Sequence, residues 1–321
     1  MALIISVLEQ GLIYSIMALG MYITFKILDF PDMTVDGSFP LGAAISAILI
    51  TNGMNPYLTL LVSFGAGLIA GTCTGLIHVK LKVGDILASI IMMTALYSVN
   101  LRIAGRANLP IYNYENVFNN PAMNAIFHGG IWQTVLIMIC FVILVKLIVD
   151  WYLKTKSGYM LKSVGDNETL VTSMGIDKGK IKILGLAISN GLVALSGSLY
   201  VQQQRYFDAS MGVGTAVIGL ASVIIGTSLF ARVDLINFSV SVIIGSIIYK
   251  ACVAIAIRLG LQSTDLKLVT AALFLIIIVI SRQLERSRNR VKGLDGLPAD
   301  HAGEDVLTDT PNERGGGKER S

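Results

Sequence analysis

Apolar residues run along this chain in stretches of about twenty, broken by short polar interruptions, and that spacing predicts a bundle of membrane-crossing helices. Continuous stretches cover about 4–27, 56–79, 86–104, 131–152, 183–204, a run ending near Phe230, 235–259 and 266–280. Two further stretches are apolar but interrupted. The first, 29–53, contains Pro31, Gly37 and Pro40 and three carboxylates, Asp29, Asp32 and Asp36. The second, 205–215, reads RYFDASMGVGT. Broken backbone at membrane depth is tolerated where it is buried in protein or lines a cavity, so both stretches mark a candidate translocation route. Counting the first as a crossing gives about nine helices. Glu9 and Gln10 near the start of the first read as headgroup contacts, and Lys146 as a side chain snorkelling to an interface marked by Trp151 and Tyr152. In the third helix Gly67, Gly71 and Gly75 recur every fourth residue, a face for close packing either within the protomer or across a seam between copies.

The longest polar interruption, 154–182, holds six lysines. Its glycines predict a short helix over about 168–174, entered through a turn at Gly165, Asp166 and Asn167 and stopped by a positive-φ Gly175 before Ile176. Leu170, Val171 and Met174 are assigned to one face of that helix, so the block reads as a cytoplasmic docking surface. The alternative is a helix resting on the lipid surface.

Composition agrees with the pattern. Hydrophobic residues make up 54% of the 321 and charged residues 14%, with mean hydropathy +0.69, too little polar surface to cover a soluble globule. Cys73, Cys140 and Cys252 lie in apolar stretches and are expected to be buried thiols without disulfide or metal spacing. His78, His128 and His301 are scattered, and no metal or catalytic cluster is expected. Basic residues set the orientation. Lys26, Lys80, Lys82, the six block lysines, Arg232 and five basic residues between 282 and 292 make fifteen on the block's side, against about four opposite. The positive-inside rule then puts the block and the tail in the cytoplasm and the N-terminus outside. The tail 286–321 is polar and Gly-rich and is expected to be disordered.

The two halves repeat weakly. Glu9-Gln10-Gly11-Leu12 aligns with Ser189-Asn190-Gly191-Leu192, and Asp36-Gly37-Ser38 with Gly42 aligns with Val213-Gly214-Thr215 with Gly219. Five crossings separate the halves, so they are expected as inverted repeats: about 4–104 and about 183–281, with 131–152 as connector and 153–182 as coupling loop. Asp36, Gly37, Ser38, Gly42, Gly212, Gly214, Thr215 and Gly219, with Asn100 and Asn190, are the candidate path residues.

Over residues 5–285 the chain resembles the permease subunits of ABC importers of the branched-chain amino acid and ribose type. The resemblance is carried by QGLIYSIMALGM from Gln10, DGSFPLGA from Asp36, VGDILASIIMMT from Val83, and the Gly165-Asp166-Asn167…Gly175-Ile176 loop before Lys182. DFPDMTVDGSFPLGAA with TALYSVNLR from Thr94 is most similar to the tryptophan/tyrosine uptake branch. The resemblance implies an all-α polytopic membrane protein of the type II importer kind, with 1–285 as the permease domain. It also implies a homodimer of this chain, two cytoplasmic ATPase subunits, an extracytoplasmic solute-binding protein and an amino acid as the solute. ATP and Mg would be bound by the ATPase alone. The nearest approach to a nucleotide-binding loop, Gly179-Lys180, has Met174 in place of the first glycine and Ile181 in place of Ser or Thr. No catalytic residue and no nucleic-acid partner is expected. The rival is a secondary transporter or channel without an ATPase, for which Lys250 and Glu9 are the intramembrane ionisable candidates.

Overall fold

Helix α1, Ala2–Met21, continues into a π-helical stretch, Tyr22–Ile27, and the two together span the first apolar run. The structure, a computed structural model, describes residues 2–119, 132–230 and 237–258, with positions 272, 275, 276 and 279. The remaining helices are α2 Val35–Thr51, α3 Pro56–Lys80, α4 Asp85–Ala104, α5 Gln133–Leu153, α6 Lys156–Asp166, α7 Glu168–Ser173, α8 Lys178–Gln204, α9 Thr215–Leu229 and α10 Phe238–Arg258. Most of the predicted ninth crossing and the tail 286–321 lie outside the described residues. Two short strands, β1 Asn108–Pro110 and β2 Tyr206–Asp208, pair antiparallel with Leu109 opposite Phe207, a small departure from the all-α expectation.

Six described helical segments are long and apolar enough to cross a bilayer: 3–27, α3, α4, α5, α8 and α10. Their outer faces carry exposed Leu61, Ile69, Ile91, Ile143, Leu147 and Trp151. That much exposed apolar surface is stable only against lipid or another subunit, which makes this a multi-pass membrane protein.

The core is organised on α8. Gly67, Gly71 and Gly75 of α3 all face it. A Cβ at Gly71 would collide with the Leu186 carbonyl, and one at Gly75 would lie 2.8 Å from Ile183 Cα. The small-residue face is therefore spent within the protomer, closing the alternative of a seam between copies. Antiparallel α1 packs on another side of α8. There the Ser189 hydroxyl donates to the Gly20 carbonyl at 2.8 Å and the Ser196 hydroxyl to the Ile13 carbonyl at 2.7 Å.

Several local expectations are corrected. Pro40 does not break its stretch: it lies inside α2, where its missing N–H frees the Asp36 carbonyl, and Gly212 packs against that carbonyl and the proline ring. The break sits earlier, at 28–34, where Asp29 has φ +51. Glu9 accepts from Gln203 Nε2 at 3.0 Å, and Lys146 pairs with Asp150 one turn on at 2.9 Å, so neither serves only the interface. Cys73 and Cys252 are half-buried and Cys140 is exposed, because their helices turn part of their surface outward.

Candidate functional site

Both short apolar helices start deep in the bundle. The Ser38 hydroxyl, near the start of α2, donates to Asn190 Oδ1 at 2.7 Å, and Asn190 lies near the middle of α8. From there α2 runs beside α8 to the end of the bundle where Gln202 Nε2 donates to Ser46 Oγ at 3.1 Å and to Thr59 Oγ1 at 3.2 Å. Helix α9 starts against the first turn of α2 and runs the opposite way. Its Gly219 packs on Met17 and Met21, and its Gly226 on the Ser241 backbone. At 1.5 Å per residue, helices of 17 and 15 residues are roughly 25 and 22 Å long, shorter than a hydrocarbon core of about 30 Å. Two incomplete crossings thus meet N-terminus to N-terminus.

Asp36 holds that meeting together. Its Oδ2 accepts from Gly214 N at 3.0 Å and its Oδ1 from Ala216 N at 2.7 Å, and the Thr215 hydroxyl stands 3.0 Å from Oδ1 and 2.9 Å from the Gly212 carbonyl. Gly214, the N-cap of α9, has φ +86, a conformation that favours glycine and turns the free amides toward the carboxylate. Asp36 also occupies the first turn of its own helix, so one negative charge faces the positive ends of two helix dipoles.

A second carboxylate, this one buried, fixes the broken segment. Asp32 Oδ1 accepts from Thr34 N at 2.8 Å and its Oδ2 from Asn190 Nδ2 at 2.7 Å. Asn190 therefore ties Asp32 to Ser38 across α8, while the Thr34 hydroxyl meets that of Thr74 at 3.0 Å. Asn100 Nδ2 donates to the Gly37 carbonyl at 3.0 Å. Its Oδ1 is buried without a partner among the described residues.

The candidate path residues fall into three groups. Asp36, Gly37, Asn100, Gly212, Gly214 and Thr215 form the junction, and Ser38 joins Asn190 beside it. Gly42 packs on the Ala194 backbone, and Gly219 lies away on the methionines of α1. Ser38, Asn190 and Thr215 are essentially buried, while Asp36 and Gly214 are half-buried and Val213 between the glycines is exposed.

The polar block contains two helices. α6, which the reading of Gly165 as a turn leaves unpredicted, is capped by Thr155, whose Oγ1 accepts from Gly158 N at 3.3 Å, and buries Leu161 and Val164. Gly165 and Asp166 belong to this helix: Gly165 lets it approach the Ile27 carbonyl at the start of the break. Asn167 alone forms the turn, and its Oδ1 accepts from Leu170 N at 3.0 Å to cap α7. Gly175 has φ +76, and Ile176, half-buried, returns its N–H to the Val171 carbonyl at 3.3 Å. The single apolar face divides. Val171 is 2% exposed and packs into the core, whereas Leu170 and Met174 are 57% and 67% exposed. Successive helical residues point about 100° apart, so Leu170 and Val171 cannot share a narrow face.

Glu168, which sequence reading used only to mark a helix start, bridges α7 to the base of α8. Its carboxylate takes Lys178 Nζ at 2.9 Å and also pairs with Lys182. Partial burial pushes the Glu168 carboxyl up, but the two ammonium groups outweigh it and hold the group below its ordinary value. The other residue is Asp32, noted as a carboxylate of the interrupted stretch but not among the candidate path residues. The signal for it was Asp32-Met33-Thr34, an Asx-turn spacing before a helix, with an asparagine elsewhere in the apolar run of α8.

Comparison with known proteins points the same way. The family described as "Branched-chain amino acid transport system / permease component" matches residues 3–280. A tyrosine transport system permease protein of Clostridioides difficile is 48% identical over 84% of this chain and 88% of its own length. The ribose import permease protein RbsC of Haemophilus influenzae is 25% identical over 70% and 68%. The probable branched-chain amino acid transport permease protein LivH of Methanocaldococcus jannaschii is 26% identical over 64% and 68%. No solved structure gives a significant match. With a family match over nearly the whole described bundle and a 48% identical permease, this chain belongs to the permease components of the branched-chain amino acid transport system type.

Proposed function

We propose that this chain is the membrane subunit of an ATP-driven importer for an aromatic amino acid, tyrosine first, and that the Asp36 junction lies on its translocation route. The observation that carries the solute class is the 48% identity to a tyrosine transport permease over 84% of the chain. In this reading ATP and Mg are bound by a separate ATPase, a binding protein delivers the solute, and two copies of this chain enclose the path. The N-terminus lies outside, and α6 and α7 face the ATPase in the cytoplasm.

An inverted repeat around α5 is supported by contacts that exchange between halves. Gly11 of α1 receives Ile247 of α10, while its repeat mate Gly191 of α8 receives Phe64 and Leu68 of α3. Two helix N-termini meeting at depth suit a route that alternates, because parting α2 from α9 would open polar backbone to the solute without unfolding either helix. The test is uptake of labelled tyrosine by cells lacking this gene. Restoration by the chain together with its ATPase, and competition by unlabelled tyrosine, are expected. Restoration with an ATPase lacking its catalytic glutamate would overturn the ATP-driven reading.

A further inference from the structure

Lys250 stands in the middle of α10, and among the described residues no carboxylate pairs with it. Its Nζ rests 3.7 Å from the centroid of the Tyr14 ring, which also stacks with Phe39 and meets Tyr200 edge-on. A cation held at membrane depth by a ring face alone keeps most of its charge unanswered, and intramembrane ionisable groups of this kind mark function by default. Lys250 also lines a cavity of about 420 Å³ between α1 and α10. Residues 3, 6, 7 and 10 of α1 face residues 250, 253, 254, 257 and 258 of α10 across it, one helical stripe against another. Among the described residues the lining is apolar except for Ser6, Gln10, Lys250 and the exposed Arg258, with no Asp or Glu.

We propose that this groove binds an acidic phospholipid, with its phosphate held between Lys250 and Arg258 and an acyl chain along Leu3, Val7, Val253 and Ile257. Lys250 and Arg258 are eight positions, roughly 12 Å of helix, apart, so a Lys250 side chain that leaves the Tyr14 ring and swings toward Arg258 brings both cations to one phosphate. Gln10 and Ser6 add hydrogen bonds from the facing helix. The lining also discriminates between anions. A zwitterionic amino acid would bring its ammonium beside two cations with no acid to receive it. A neutral lipid would leave Lys250 unanswered. The site is thus distinct from the Asp36 junction and independent of which solute is carried.

The test uses the full-length permease purified with its ATPase in neutral detergent, with short-chain phosphatidylglycerol, phosphatidylcholine or L-tyrosine added separately. Phosphatidylglycerol is expected to raise the melting temperature by a few degrees, and phosphatidylcholine to leave it unchanged. Lys250→Met and Arg258→Gln should each lose the shift, and Lys250→Arg should keep it. Arg258 is exposed at the helix end, so its variant keeps the bundle if the Lys250 variant does not. An equal phosphatidylglycerol shift in Arg258→Gln, or a shift with tyrosine but not with phosphatidylglycerol that disappears in Lys250→Met, overturns the lipid site.

Discussion

Asp36 Oδ1 accepts a 2.7 Å hydrogen bond from the backbone N–H of Ala216, so a carboxylate in the first turn of α2 closes the first turn of α9. Because both helices begin at this contact, its loss frees two helix ends at once. Asp36→Ala is expected to cost about 1–2 kcal/mol, as for a lost N-cap, and to abolish uptake. Asp36→Asn keeps one acceptor and should retain more of the stability, though it gives up the charge on two dipoles. The measurements are the melting temperature of the purified permease and uptake of labelled solute. Wild-type values for Asp36→Ala in both would remove the junction from the mechanism.

Ser38 and Thr215 are 0% and 1% exposed, so cysteines placed there should be protected from a small polar thiol reagent in this conformation. If α2 and α9 part during transport, both should react when ATP is supplied or trapped. Protection that never changes with nucleotide state would place the route elsewhere.

Gly175 lies at φ +76, where a β-branched residue is strained by about 1–3 kcal/mol. Gly175→Val should leave the permease inserted but misplace α7, reducing ATPase association and uptake together. Leu170→Glu with Met174→Glu should do the same without strain, because both residues are exposed, whereas Val171→Glu should destabilise the loop itself. Co-purification of the ATPase separates these outcomes. Normal association in the Leu170/Met174 variant would mean that α7 is not the docking helix.

Glu168 has a carboxyl held below its ordinary value of 4.5, so its ion pairs add stability at pH above that value. This contribution is lost as pH falls through the lowered folded-state pKa. Protection of residues 165–178 against hydrogen exchange, taken relative to the intrinsic rate at each pH, should therefore be constant from neutral pH to near 5 and fall at lower pH. High salt should weaken the same protection, since the pair is partly exposed. Glu168→Gln should show the low protection at every pH. A pH profile identical to wild type in that variant would show that the bridge does not hold α7 to α8.

A Cβ at Gly71 would meet the Leu186 backbone, whereas a Cβ at Gly65 meets nothing within 4 Å. Gly71→Val is expected to separate α3 from α8 at a cost of at least about 1–3 kcal/mol, with loss of folded protein. Gly65→Ala should stay within about 0.5 kcal/mol of wild type. Fluorescence-detected size-exclusion yield after a heating series distinguishes them, and equal behaviour of the two would contradict the α3–α8 packing.

Much of this protein was legible in the residues alone, for a physical reason. Hydrocarbon demands about twenty apolar residues per crossing, so α3, α4, α5, α8 and α10 announce themselves within a few residues of their ends. Gly175 before an Ile and an Asp is a helix stop by local conformation, and the two interrupted stretches were visible as breaks in the apolar run. Tertiary structure decided what those features do. Glycine serves equally as a turn and as a contact, and only the approach of the Ile27 carbonyl shows that Gly165 is a contact inside α6. Proline in a helix costs one hydrogen bond, and only Gly212 packed on the freed Asp36 carbonyl shows why Pro40 is tolerated in α2. The partners of Asp36 and Asp32 lie about 180 and 160 residues away, and local sequence has no access to pairings created when two broken crossings meet inside one bundle.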